Sequence, residues 1–255
     1  IGIQAGDKIV AINGEDAVGS IVTNTYVTSQ LRGSKGTKVK LGIIRFPLKT
    51  ITEYDIIRDK IPINSLDAAY MIDNTIGYIK LNRFAATTMD EFLAAMEQLK
   101  KENMQSLILD LRGNSGGYLK TAIELTDQFF EKEKLLVYTE GLNAPIDKTY
   151  STSNGEFKSG HLLVLVDQGS ASASEILAGA IQDLDRGIIV GRRTFGKGLV
   201  QRPFNLTDGS VIRLTVSRYY TPSGRCIQKS YGDDTKLYRK EIEERLNKGE
   251  FFNQD

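Results

Sequence analysis

DQGSASASEILAGAIQDLDRGIIVGRRTFGKGLVQ, residues 167–201, follows directly on the apolar run HLLVLV (161–166). That run has the length and composition of a buried strand. Small residues then make a tight turn, a helix begins near Ala173 and covers ASEILAGAIQDLD (173–185), and GIIVG (187–191) supplies the next apolar strand. Two strands joined through a helix form a parallel pair, and near-continuous apolar strands imply a sheet covered on both faces.

The same rhythm extends toward the N-terminus. GYIKLN (77–82) and SLILDLR (106–112) read as strands, KLLVYT (134–139) as another, and MDEFLAAMEQLKKEN (89–103) and YLKTAIELTDQFF (118–130) as helices. Phe92, Ala95, Met96 and Leu99 fall on one face of the first helix, and Thr88 with Glu91 has the spacing of a capping box. LVQRPFNL (199–206) and SVIRLTVSRYY (210–220), joined through Thr207-Asp208-Gly209, read as an antiparallel hairpin. The first 60 residues differ: DKIVAING (7–14) turns at Asn13-Gly14, a helix-like stretch covers 21–31, and KVKLGIIR (38–45) and TITEYDIIR (50–58) have period 2. The expected organisation is a small β-rich module over 1–60 and an α/β (α+β) domain over 61–255. Both ends read as cut from a longer protein, and the charged helical pattern TKLYRKEIEERLNKGEFFNQD (235–255) has no evident core to join.

Composition excludes several classes. The formal net charge is +1, from 33 Lys+Arg against 32 Asp+Glu, so no field favours nucleic acid or an anionic membrane. No run approaches the length of a membrane span, and no leader opens the chain. The single cysteine, Cys226, excludes an internal disulfide and a Cys-type metal site, and reads as a small half-buried residue after a turn.

Three motifs carry chemistry. In GSASASEI (169–176), a serine at the start of a helix has its hydroxyl near free backbone N–H groups, and the Ala173 amide is placed to hold an anion. Local chemistry leaves Ser170, Ser172 and Ser174 all open as the nucleophile. GRRTFGKG (191–198) nearly matches a phosphate loop, but Gly198 replaces the hydroxyl needed for magnesium, and the extended stretch that follows contains Pro203. The flanking glycines instead let the backbone approach closely and predict a crowded, poorly hydrated place for the Lys197 amine. DLRGNSGG (110–117) ends a buried strand with glycines suited to an anion-holding concavity, while Asp110 and Arg112 read equally well as a local ion pair.

A serine nucleophile needs a neighbouring base. The only histidine, His161, opens the strand whose far end leads to the serine, about 20 Å away at the rise of a strand. That is far beyond the reach of a proton transfer. Lysine remains, in its neutral form, which desolvation favours.

The segments LILDLRGNSGGYL (107–119), 167–201 and GSVIRLTVSRYYTPSGRCIQ (209–228) closely resemble the carboxyl-terminal processing proteases, also called tail-specific proteases, over nearly the whole chain. The resemblance implies a crotonase/Clp-protease-like β-α-β core preceded by a partial PDZ domain, whose signature is AGDKIVAING (5–14) and whose carboxylate-binding loop would lie before Ile1. It further implies a serine endopeptidase with Ser172 as nucleophile, Lys197 as base and Gln201 orienting the amine. The oxyanion donors it implies are Gly116, with Gly117 as the near alternative, and Ala173. It calls for no cofactor or metal, for protein or peptide substrates with a free C-terminus, and for an extracytoplasmic, periplasmic location. A homo-oligomer or an activating partner protein is compatible with it. For Glu175, the expected role is structural or substrate-orienting, because a carboxylate pressed on the lysine amine would hold it protonated. The contrasting reading is a non-catalytic scaffold of the same fold that binds peptides or other ligands.

Overall fold

The computed structural model describes residues 2–48, 50–59, 64–231 and 235–252. The chain divides into two compact units, Ile1–Ile63 and Asn64–Asp255. The boundary expected at 60/61 lies outside the described residues.

In the first unit, β1 (Lys8–Ile12), β2 (Glu15–Asp16), β3 (Lys38–Ile44) and β4 (Ile51–Ile57) form an antiparallel sheet in the order β2-β1-β3-β4. Asn13 and Gly14 both take positive φ, +52° and +87°, which closes the two-residue turn between β1 and β2. Helix α1 spans Asn24–Leu31 and starts later than expected, because Thr23 accepts the Tyr26 N–H (3.1 Å) as its cap. Ile12, Val39, Leu41 and Ile43 form a small core.

The second unit runs β5 (Leu66–Met71), β6 (Ile76–Leu81), α2 (Thr88–Lys101), β7 (Ser106–Asp110), α3 (Leu119–Asp127), β8 (Leu135–Gly141), β9 (Ala144–Tyr150), β10 (His161–Val166), α4 (Ala173–Asp183), β11 (Ile188–Gly191), β12 (Leu199–Asn205), β13 (Val211–Tyr220) and α5 (Thr235–Asn247). One sheet has the order β11-β10-β7-β6-β5, parallel except for β5, and is the β-α-β core expected of the α/β class. A second, antiparallel sheet has the order β12-β13-β8-β9. The core lies between the first sheet and α2, α3 and α4, with Phe92 and Phe129 meeting edge to face at 6.0 Å.

The capping box at Thr88 is not formed. Thr87 is the N-cap, and the Glu91 carboxylate instead accepts from the Ser65 and Leu66 amides and the Ser65 hydroxyl, each at 2.8 Å. Ser65 heads β5, a strand whose unpaired amides are stronger competitors for that carboxylate than the helix's own N-terminus. Cys226 is exposed rather than half-buried. Among the described residues, no helix is long and apolar enough to cross a membrane.

Candidate active site

Helix α4 is buried from Ala173 to Ile181, so every polar group along it must find a partner within the protein. The three serines of the turn and the helix's first residues differ in this respect. The Ser170 hydroxyl, fully buried, donates to the Leu111 carbonyl (2.7 Å), and that of Ser174, also fully buried, donates to the Asn114 carbonyl (2.9 Å). Both fasten the turn and helix to the 110–117 loop. Ser172 is half-buried and lines a cavity of about 200 Å³. It takes φ +56° and ψ −109°, a sparsely populated backbone region that a non-glycine residue adopts only when its surroundings impose it.

Glu175 is the residue whose importance the sequence understated. Only 6% exposed, it accepts through Oε2 from the backbone N–H of Ser172 (2.8 Å) and of Lys197 (2.9 Å). Through Oε1 it accepts from the Gly196 N–H (2.6 Å) and the Thr194 hydroxyl (2.7 Å). Two amides held by one oxygen atom are necessarily close neighbours, so this carboxylate brings residues 25 positions apart in sequence together. Its contact with Lys197 is through the backbone. Among the described residues the Lys197 amine has no ion-pair partner.

Lys197, two residues before β12, and Leu199 and Gln201, at alternate positions within it, all line the same cavity as Ser172. The register of β12 against β13 shifts between Val200 and Gln201, where β13 carries the extra residue, Val216. The crowding expected around Lys197 falls on its neighbours and not on its side chain. Gly198 is buried, with no room for a Cβ beside the Gln228 amide, and a Cβ on Gly196 would lie 2.9 Å from that of Lys229. Lys197 itself is exposed at the rim of the cavity it lines, contrary to the poorly hydrated place expected for its amine.

In the glycine loop the Gly116 N–H donates to Asn114 Oδ1 (2.9 Å), and the Gly116 carbonyl accepts the Phe84 N–H (3.0 Å). Gly117, at φ +154°, sits so close to the Phe84 carbonyl that a Cβ has no space. Its N–H and that of Ala173 have no partner among the described residues, and both residues line the cavity. Leu119, Ile176, Leu199 and Tyr219 supply the apolar part of its wall, and burial pushes the Tyr219 phenol above its usual range.

Asp110 and Arg112 form a local ion pair at the base of the loop. Asp110 is fully buried and accepts from Arg112 Nη2 (2.7 Å), the Arg112 amide (2.8 Å) and the Tyr78 hydroxyl (2.6 Å). Burial alone raises its carboxyl, but these bonds outweigh burial and hold it below the usual carboxylate range. Burial and the bond to Asp110 push Tyr78 up to about 12. His161 begins β10 and is exposed at the end remote from Ser172.

Known proteins share this arrangement of elements. The model of peptidase family S41 matches residues 75–236. A carboxyl-terminal-processing protease of Synechocystis is 39% identical over 233 residues, covering 89% of this chain and 53% of that protein. The carboxy-terminal processing protease CtpB of Bacillus subtilis is 34% identical over 230 residues, covering 89% and 47%. The structure of a photosystem II D1 C-terminal processing protease superposes with a TM-score of 0.62 at 31% identity, covering 89% of this chain and 61% of that one. The chain spans about half the length of the curated relatives it matches. The match covers the strands, the serine turn and the lysine loop together, and the chain belongs to peptidase family S41.

Proposed function

We propose that the chain is the catalytic part of a serine endopeptidase with a Ser-Lys dyad that cleaves proteins near or from their C-termini. The observation that carries this reading is the clamp of Glu175, which holds the backbone of Ser172 and of Lys197 at one oxygen beside two unpartnered amides in one cavity. Ser172 Oγ attacks the scissile carbonyl carbon while the neutral Lys197 amine takes its proton, with Gln201 orienting the amine. The Gly117 and Ala173 amides hold the oxyanion. As the tetrahedral intermediate collapses, the C–N bond breaks and Lys197 returns the proton to the leaving amine. Water then attacks the acyl-serine, again with Lys197 as base, and releases the new carboxyl terminus. The amine is exposed in the free chain. A peptide lying across the cavity covers it and removes the water that stabilises the ammonium.

The first unit is read as a PDZ domain that captures the substrate's free C-terminal tail by adding it as a strand to a sheet edge. The extracytoplasmic, periplasmic location belongs to the same proposal, as do protein substrates with a free C-terminus.

The test is incubation of an unstructured protein with the intact enzyme and with Ser172→Ala and Lys197→Ala, followed by mass analysis of the products. Cleavage in the first tube alone supports the dyad, and a substrate with an amidated C-terminus should be cut more slowly. An unaltered substrate in every tube favours a non-catalytic scaffold.

A further inference from the structure

The charged helix that had no evident core in the sequence joins the loop that carries Lys197. The Glu241 carboxylate on α5 bridges two cations, Arg193 at one oxygen and Lys229 Nζ at the other (2.5 Å). Lys229 Nζ also lies 4.0 Å from the centre of the Tyr238 ring, and Gln228 Nε2 donates to the Tyr238 hydroxyl (3.2 Å). Arg245 Nη2 donates to the Arg193 carbonyl (3.0 Å). Residues 228 and 229 in turn grip both peptides that flank the lysine. The Lys229 N–H donates to the Gly196 carbonyl (3.0 Å), and Gln228 Oε1 accepts the Gly198 N–H (3.0 Å).

We propose that α5 is a positioning element for the Lys197 amine, acting through Glu241 and Tyr238 on the segments that hold its loop. The proposal rests on the Ser-Lys reading above. Two features separate it from a merely structural docking of a helix. Behind the loop lies a cavity of about 370 Å³, bordered by Glu175, Phe195, Gly196 and Glu241, so the loop is backed by ion pairs and hydrogen bonds more than by packed side chains. The ion pairs are also partly exposed: the side chains of Arg193, Lys229 and Glu241 are 64%, 20% and 27% accessible. Pairs of that kind add little to global stability, whereas a displacement of about 1 Å in a catalytic group lowers a rate by about 10²-fold. Loss of the latch therefore shows in turnover before it shows in folding.

The experiment compares the intact enzyme with Glu241→Gln, Tyr238→Phe and Glu241→Asp on a fluorogenic peptide, measuring kcat, KM and Tm. The expected result for Glu241→Gln and Tyr238→Phe is a kcat about 10-fold lower, equivalent to about 1.4 kcal/mol of barrier, with Tm within about 2 °C of the wild type. KM should hold. Glu241→Asp should recover part of the rate because it keeps a carboxylate between the two cations. Wild-type kcat in both variants overturns the proposal, as does a loss of kcat that tracks a loss of Tm in both. Ser172→Ala and Lys197→Ala run beside them. If these two retain activity, the dyad itself is wrong; if they are inactive while the α5 variants match the wild type, only the role of α5 fails.

Discussion

Glu175→Gln replaces one oxygen with NH2 in a side chain that accepts four hydrogen bonds, from the amides of Ser172, Gly196 and Lys197 and the hydroxyl of Thr194. A glutamine accepts through one end only. The least costly orientation keeps its carbonyl on Ser172 and Lys197 and turns its NH2 toward Thr194, whose hydroxyl can rotate to accept. The Gly196 N–H is then left facing a donor, at about 1–3 kcal/mol for a buried orphan. Loss of charge assistance in the remaining bonds brings the total to about 2–4 kcal/mol. For a domain of this size, at about 2–4 °C per kcal/mol, Tm should fall by about 5–15 °C. Well below that Tm, kcat should fall by about 10- to 10²-fold, because Gly196 is the residue that precedes Lys197 and its release shifts the amine. Circular dichroism melts and kcat/KM on a fluorogenic peptide measure both effects. Thr194→Ala is the control: it removes one donor and leaves every acceptor of the other three intact, so its Tm should change by no more than about 1–4 °C. A Glu175→Gln enzyme with wild-type melting and turnover would falsify the clamp.

Three further outcomes follow from the same geometry. Ser172→Gly should melt at a higher temperature than Ser172→Ala, by the strain of a non-glycine residue at φ +56°, about 1 kcal/mol or more, with both variants inactive. Gly117→Ala should lower kcat by about 10²- to 10³-fold, since a Cβ pressed on the Phe84 carbonyl moves the amide proposed to hold the oxyanion; unchanged turnover would assign that role elsewhere. Asp110, held below its ordinary range in the fold, gives stability that is fully present above the unfolded carboxyl value near about 4 and is lost as pH falls through the lower folded value. Asp110→Asn should accordingly flatten the acid limb of a Tm-against-pH curve, and an unaltered limb would exclude Asp110 as its source.

The elements legible in the sequence are those with a strong period. Strands β6, β7 and β10, the helices between them and the hairpin β12–β13 stand where the pattern puts them, and Phe92, Ala95, Met96 and Leu99 form the expected buried face of α2. Strands β5 and β9 escaped because LDAAYM and APIDKTY carry weak alternation; they are edge strands fixed by pairing with β6 and β8. At the site, residue types and spacing gave Lys197 and a serine of the 170–174 turn as candidates but could not choose among three serines, and Gln201 came only with the family resemblance. That choice depends on which hydroxyls are consumed by the carbonyls of Leu111 and Asn114, a matter of tertiary contact. The same is true of Gly116, whose amide is taken by a side chain two residues earlier. Glu175 was readable only as a position, three residues after the serine in the first turn of a helix; nothing local shows that its carboxylate also reaches the lysine loop.

Asn114 explains how the unusual backbone of Ser172 is sustained. Fully buried, it donates through Nδ2 to the Leu81 carbonyl (3.0 Å) and accepts the Gly116 N–H at Oδ1, while its carbonyl accepts the Ala171 N–H (3.0 Å) and the Ser174 hydroxyl. The residues on both sides of Ser172 are thus tied to one backbone oxygen, and Glu175 pulls the Ser172 amide from within the helix. A residue gripped from three directions has little freedom to relax into an ordinary φ. Strain of about 1–3 kcal/mol at one residue is small beside several buried hydrogen bonds at about 1 kcal/mol net each. The loop of residues 110–117 therefore has two physical duties that share the same atoms: Gly117 presents a free amide to the cavity, and Asn114 holds the turn in which the serine faces it. A change at Asn114 acts on both, which is why its effect on turnover should exceed what its distance from the cavity suggests.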